Sequence, residues 1–506
     1  MTTQYDKLLV THTGALRRKY GSAGAASVRS ALDALVAADA ARGLVGRVLL
    51  LDNATSMRAV GTTPVADGDW VATVRAIDLA CARYVPSYVA IVGATDVVPQ
   101  ARMRNPFVGI GDDGDSYVPG DLAFACDLPA SWTSTATGTI DPGDLLAVTR
   151  VVGRVPDLVG ATDPSMLLAA LATAATYTQR TARSYQRVFA LSASVWKGST
   201  TQSVDLLPGP APAVQLSPPA ASPWSMGALG PRVHFVNCHG GSTTPDWFGQ
   251  SSGGAIDTVA LRPEDVDGRV VAGTVVAAEC CYGAMHLPPA DLGGRVPMMW
   301  AYLRSGAYAG LGSSTTAYGP ADGNGQADLL CRYFLAGVLA GASTGRALLD
   351  ARQQFIRESG SMAPEDLKTI AQFDLLGDPS LQPVTVARGG AHAAPTLLAS
   401  AARAPQLDLA QRRAVLAASG RALAAVVPRA GRPRRTSSVD ATELAVSAGL
   451  GAGQVMGPAR TFGERLPAAR SRLSYHVVPV RARGRRGFVV ARDTDGQRAT
   501  RTIWSR

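Results

Sequence analysis

Seven apolar runs, each four to seven residues long, punctuate the first 312 positions. They are Lys7–Val10, Val48–Asp52, Tyr88–Gly93, Arg187–Ala193, Arg232–Asn237, Thr274–Ala278 and Ala307–Gly312. Between them lie segments with apolar residues at helical spacing: Ala26–Ala41, Trp70–Tyr84, Met166–Arg183 and Pro297–Ser305. Runs this short and this uniformly apolar predict strands buried on both faces. Strand–helix–strand alternation then predicts an α/β fold around a parallel sheet. Residues 105–157 break the rhythm with a polar loop, Gly111-Asp-Asp-Gly-Asp-Ser116, and short strands up to Val151–Pro156. Leu206–Pro223, rich in proline, predicts a surface loop. Gln326–Ala340 and Gly345–Glu358 predict two further helices.

Composition sets outer limits. Hydrophobic residues make up 46% of the 506 and charged residues 17%, which excludes a disordered or collagen-like chain. Six cysteines are too few for a disulfide scaffold, and no four have zinc-site spacing. The start, Met1 to Lys7, has no basic segment followed by an apolar one, and no run of about 18 apolar residues occurs. The expectation is a cytoplasmic protein with no membrane partner.

Charge is unevenly distributed. From Arg388 to Arg506 there are 21 Arg, no Lys and six Asp or Glu, so this stretch carries +15 of a net +10 and leaves −5 on the first 387 residues. A basic tail of this kind binds nucleic acid or an anionic surface in some chains. Here 45 of the 49 basic residues are Arg and no nucleic-acid motif accompanies them, so nucleic acid is not the expected partner. The tail itself predicts an Ala-rich helix over Leu407–Val427, an Arg/Pro/Ser linker over Arg429–Ser438, and strands at Ser474–Val480, Gly487–Arg492 and Arg498–Trp504. Asp493-Thr-Asp-Gly496 supplies a hairpin turn. No chemistry is legible there.

Chemistry concentrates at two strand ends. In Val233-His-Phe-Val-Asn-Cys-His-Gly-Gly241 an apolar strand runs into His239; in Val275-Val-Ala-Ala-Glu-Cys-Cys-Tyr-Gly283 another runs into Cys281. Ligands of parallel sheets bind beyond the carboxyl ends of the strands, and consecutive strands usually neighbour one another. The pair is therefore expected to share one crevice. A free thiol, with a pKa of about 8.5, is barely ionised at neutral pH, and an imidazole beside it takes the proton. Gly240 lets backbone approach a substrate, so its N–H and that of Cys281 are candidate oxyanion donors, each typically worth about 3 kcal/mol. Cys81, Cys126, Cys238 and Cys331 read as core residues, and alternation along the strand turns Cys280 away from Cys281. His234 and His286 read as structural or surface residues, with His234 on the face opposite His239.

Glu279-Cys-Cys-Tyr-Gly283 resembles the Gln-Ala-Cys-x-Gly of caspases and the Glu-Ala-Cys of legumains. Tyr88–Pro99, Tyr117–Phe124, Val152-Gly-Arg-Val-Pro156 and Phe373-Asp-Leu-Leu-Gly-Asp-Pro-Ser-Leu381 resemble, in order, segments of the gingipain-like cysteine peptidases, over about residues 5–385. The resemblance implies a caspase-like α/β fold, a parallel-sheet sandwich with two side-by-side subdomains; the strand and helix pattern beyond residue 385, which the resemblance does not cover, adds a small C-terminal α+β domain. The units are 1–158, a catalytic 159–385, a helical segment and linker 386–438, and a β-rich 439–506. It implies cysteine endopeptidase activity on peptide or protein substrates, through a thioester, with Cys281 as nucleophile and His239 as base.

The sequence departs from that family at the orienting acid, where Ser194 stands; Asp246 is the alternative. The same register puts Asp205 at the base of a specificity pocket, where it would favour Arg or Lys before the scissile bond. Glu279, Trp247 and Tyr318 are further substrate-binding candidates, each with an ordinary core role as the alternative. Asp112, Asp113 and Asp115 offer clustered carboxylates to calcium. Their spacing is not that of an EF-hand, so a solvated turn is preferred and no cofactor is expected. Two other readings stand beside the peptidase: a binding or scaffold protein without turnover, and a protease autoinhibited by its C-terminal domain, with Arg432-Pro-Arg-Arg435 suited to self-processing.

Overall fold

The computed structural model describes residues 4–128, 132, 138–385, 409–433, 439–465, 473–494 and 497–506. Its centre is a ten-stranded, mostly parallel sheet. The strand order is Gly46–Leu50, Lys7–Thr11, Tyr88–Val92, Val152–Val155, Phe373–Leu376, Ala309–Ser313, Val275–Ala278, Val233–Asn237, Val188–Ala193 and Val214–Ser217. Every neighbouring pair is parallel except Ala309–Ser313 with Phe373–Leu376. Two five-stranded parallel halves therefore run in opposite directions and meet at one antiparallel seam. Their ligand-binding ends open at opposite edges of the sheet.

The seven expected strands all form. The central ones are buried along their length, save the half-buried first residues Tyr88 and Val188, as a helix-covered sheet requires. Elsewhere the structure corrects the expectations. The first helix runs Thr13–Ala41, not from Ala26, because it continues across a kink at Gly21, whose φ of +70° suits glycine. The helix expected over Met166–Arg183 ends at Thr176, with Tyr177 already extended. The proline-rich Leu206–Pro223 contains the strand Val214–Ser217. Its prolines flank that strand, and proline is tolerated at a sheet edge, where this strand lies. The seam strand Phe373–Leu376 follows directly on the helix Pro364–Gln372.

A second, antiparallel sheet of six strands packs on this body. Its order is Tyr318–Gly319, Gln497–Ser505, Arg485–Thr494, Leu473–Ala482, Arg460–Arg465 and Arg429–Pro433. Its first strand, Tyr318–Gly319, follows directly on the main-sheet strand Ala309–Ser313, so the C-terminal sheet is built onto the body's own edge. One face joins the main core through Phe462, Tyr475, Val477, Phe488, Val490 and Ile503. The other, with Val478, Val480, Val489 and Trp504, is covered by the helix Ala441–Ser447. The expected linker Arg429–Ser438 is a strand over its first five residues; Arg434 to Ser438 lie outside the described residues, as do the turn residues Asp495 and Gly496. The Ala-rich helix forms over Leu409–Val426. No helix among the described residues is long and apolar enough to cross a membrane.

Candidate functional site

Four adjacent parallel strands, Val188–Ala193, Val233–Asn237, Val275–Ala278 and Ala309–Ser313, end at the same edge. The segments that leave them supply Trp196, His239, Cys281 and Tyr318. His239, Gly240, Cys281, Tyr282 and Tyr318 line a single cavity of about 280 Å³. The opposite wall comes from the C-terminal sheet: Pro479, Val480, Phe488, Ser505 and Arg506.

Cys281 sits in a tight turn closed by the Gly283 N–H to the Cys280 carbonyl, 3.1 Å, with Tyr282 at a left-handed φ of +57°. A non-glycine residue is rarely held there. Here the Tyr282 hydroxyl, 2.9 Å from Asp115 Oδ1 and 3.0 Å from Thr316 Oγ1, pins the turn. Cys280 and Cys281 enter different core clusters on opposite faces of the sheet. The Cys281 sulfur accepts the Ala317 N–H at 3.2 Å. Gly240 lies directly against the Cys281 backbone: a Cβ built there would stand 1.9 Å from the Cys281 carbonyl oxygen.

The imidazole of His239 is oriented by a residue that sequence reading missed. Gln250 is buried; its amide nitrogen donates to the Gly254 carbonyl at 2.9 Å, so its Oε1 faces His239 Nε2, also at 2.9 Å. An acceptor at Nε2 places the ring proton there and leaves Nδ1 unprotonated. The signal was faint: a glutamine eleven positions after the histidine, at the end of the strand Thr244–Gly249. Neither Ser194, which stands where the family has its acid, nor the suggested substitute Asp246 takes that part. Ser194 Oγ donates to the Pro218 carbonyl, and Asp246 is held by Arg295 through contacts of 3.0 and 2.5 Å.

Burial dominates the titration of the pair. It lowers the His239 pKa to about 4, with the charges of Arg506 and Arg485 acting in the same direction against the Gln250 hydrogen bond. It pushes the Cys281 thiol up to about 12, against backbone hydrogen bonds from Ala317 and Arg506. With the C-terminal sheet in place, both groups are held neutral.

A second cluster adjoins the pair. Arg506 Nη2 lies 3.0 Å from each carboxylate oxygen of Asp328, 2.9 Å from the Pro320 carbonyl and 3.8 Å from Glu279 Oε2. Its guanidinium carbon stands 4.6 Å from the ring centre of Trp196, which also packs on the His239 ring with centres 4.3 Å apart. Asp328, Glu279 and Arg506 are essentially without solvent exposure. Burial, and then the charge of Asp328, raise the Glu279 carboxyl well above its ordinary range.

The remaining candidates fall as follows. Asp205 ends the helix Lys197–Asp205 and borders an exposed depression with Lys197 and Leu206, away from the cavity; the acids around the seated Arg506 are Asp328 and Glu279. Trp247 faces the core and its neighbour Phe248 faces the cavity, because side chains alternate along Thr244–Gly249. Tyr318 does line the cavity, its hydroxyl 2.7 Å from Asp113 Oδ2. The place calcium would take between Asp113 and Asp115 is filled by the Lys368 ammonium, 2.5 and 2.9 Å from them, and Asp112 pairs with Arg481 at 2.9 Å. His234 is buried on the far face, between the Tyr302 hydroxyl and the Pro231 carbonyl.

No family model and no curated protein matches this chain. Among solved structures it is similar to one described as "Structure of Protease". That superposition covers 98% of this chain and 96% of the other, at 13% identity and a TM-score of 0.46.

Proposed function

We propose that the protein is a cysteine endopeptidase of the gingipain-like type, with Cys281 as nucleophile and His239 as base. The observation that carries the reading is the convergence of His239 and Cys281, from the ends of neighbouring parallel strands, on one cavity with the imidazole's Nδ1 left unprotonated by Gln250. In the reaction, Cys281 Sγ attacks the scissile carbonyl carbon and its proton passes to His239 Nδ1. The developing oxyanion is held by the N–H groups of Gly240 and Cys281. Collapse forms the thioester and expels the amine, which takes the proton from His239. Water, deprotonated by the same imidazole, then releases the acid and restores the thiol. Asp328, with Glu279, supports a preference for a basic side chain before the scissile bond.

Peptide hydrolysis with active-site alkylation tests this. Iodoacetamide is expected to label Cys281, and Cys281→Ala to abolish cleavage. His239→Ala should lower kcat by about 10²–10⁴-fold. Undiminished hydrolysis by Cys281→Ala would sink the proposal. A second reading, peptide binding without turnover, is favoured by the neutral, roofed-over state of the pair; it predicts peptide affinity with no product.

A further inference from the structure

We propose that the cleft is a groove for an extended, arginine-bearing peptide strand, and that the chain's own last strand occupies it in cis, closing the site. The proposal rests on the reading of this cleft as the peptide site. Four independent features support it.

The first is strand addition. Gln497–Ser505 pairs antiparallel with the two-residue edge Tyr318–Gly319, through Tyr318 with Ser505 and Gly319 with Trp504, and the Arg506 N–H continues the ladder to the Ala317 carbonyl at 3.0 Å. Ala317 also gives its own N–H to the Cys281 sulfur. The backbone of Arg506 is thus set beside the nucleophile, as a substrate strand added to a free sheet edge would be.

The second is the seat for the side chain. Both Glu279 carboxyl oxygens are buried without a hydrogen-bond partner at ordinary distance among the described residues, beside a second buried acid, Asp328. Two buried acids are costly unless a cation joins them. Charge, together with the Trp196 face, selects a guanidinium.

The third is a cleared approach. A Cβ on Gly319 would fall 2.3 Å from Arg506 Nη2, so only glycine there leaves room for the seated guanidinium. The fit is also incomplete: Nε and Nη1 of Arg506 have no hydrogen-bond partner among the described residues. An occupant held by charge and stacking rather than by a fully paired fork is exchangeable.

The fourth is charge. The +15 stretch docks on the acidic body through Arg481 to Asp112, Arg501 to Glu365 and Asp366, and Arg506 to Asp328. These three arginines find acidic partners on the body.

The test uses full-length Cys281→Ala protein, in which turnover is impossible, and a fluorescent peptide carrying one arginine, read by anisotropy against the same peptide with glutamine. A tethered competitor acts at millimolar effective concentration, so Arg506→Met is expected to tighten the arginine peptide by about tenfold or more. Adding Asp328→Asn should abolish that binding, and the glutamine peptide should bind weakly throughout. Arg506→Lys, which keeps a cation in the seat, serves if Arg506→Met does not fold, with an intermediate gain. Unchanged affinity on vacating the seat, or equal binding of both peptides, overturns the proposal. The same Arg506 variants with Cys281 intact separate the two readings. Tightened binding without hydrolysis leaves the groove standing and removes the peptidase. Hydrolysis that Arg506→Met leaves unaltered removes the cis occupant and keeps the peptidase.

Discussion

At the residue scale, the imidazole of His239 depends on Gln250 more than on any acid. A neutral amide accepts the Nε2 proton and fixes the ring without adding negative charge, so only that hydrogen bond opposes the burial and the arginine charges that lower the ring's pKa to about 4. The unfolded value is about 6.5. Between those two, the unfolded chain binds a proton that the folded chain refuses. The stability contributed by neutral His239 is therefore fully present above pH 6.5 and lost as pH falls toward 4, by up to about 3 kcal/mol. Gln250→Glu would place a carboxylate against the ring, raise its pKa and shrink that loss. Urea unfolding across pH 4–7 should show a shallower slope in Gln250→Glu than in the parent. Gln250→Ala frees the ring instead: kcat should fall, by less than in His239→Ala, with KM kept. A fall in KM-governed binding alone would make Gln250 a pocket residue and not a positioning one.

At the element scale, the loop Gly111–Ser116 works as a clamp. Asp113 and Asp115 reach across to Lys368 on the helix Pro364–Gln372, to the hydroxyls of Tyr318 and Tyr282, and to the Thr316 N–H. It thereby fixes both the Cys281–Tyr282 turn and the edge on which Gln497–Ser505 pairs. Lys368 is fully buried, so Lys368→Met strands two carboxylates and is expected to cost about 3–5 kcal/mol, read by chemical denaturation. A loss under about 1 kcal/mol would show that the loop is solvated and not clamped. The sequence foretold the strands that end in His239 and Cys281, because short, mostly apolar runs set between helical segments belong in the buried sheet of an α/β protein. It hid this clamp, because its members are some 250 positions apart and a charged side chain is neutralised by tertiary structure alone. Gln250 and Asp328 were hidden for the same reason: amide and carboxylate side chains carry no periodic signal. Trp247 was misplaced through alternation, since a shift of one residue along a strand exchanges cavity for core.

At the scale of the molecule, what holds the C-terminal sheet over the cleft decides how it opens. The rim pairs Asp112 with Arg481 and with Arg486 are all at least 40% exposed, and each is worth at most about 1 kcal/mol. Beneath them Phe488 stacks on Phe107 with ring centres 4.5 Å apart and tilts against Tyr318 at 5.4 Å, almost wholly buried. Truncating such a side chain costs about 3–5 kcal/mol. Apolar packing at the centre therefore outweighs the ionic rim, although the tail's charge is its most conspicuous sequence property. Phe488→Ala is expected to destabilise the protein by that amount and to speed alkylation of Cys281, measured by mass spectrometry at neutral pH, because water readmitted to the cavity relieves the burial that keeps the thiol protonated. Arg481→Ala and Arg486→Ala should leave the labelling rate nearly unchanged, and so should raising the salt concentration, which screens exposed pairs first. If salt alone opened the thiol as Phe488→Ala does, the roof would be electrostatic, and the aromatic stack would be a passenger on a surface steered by its arginines.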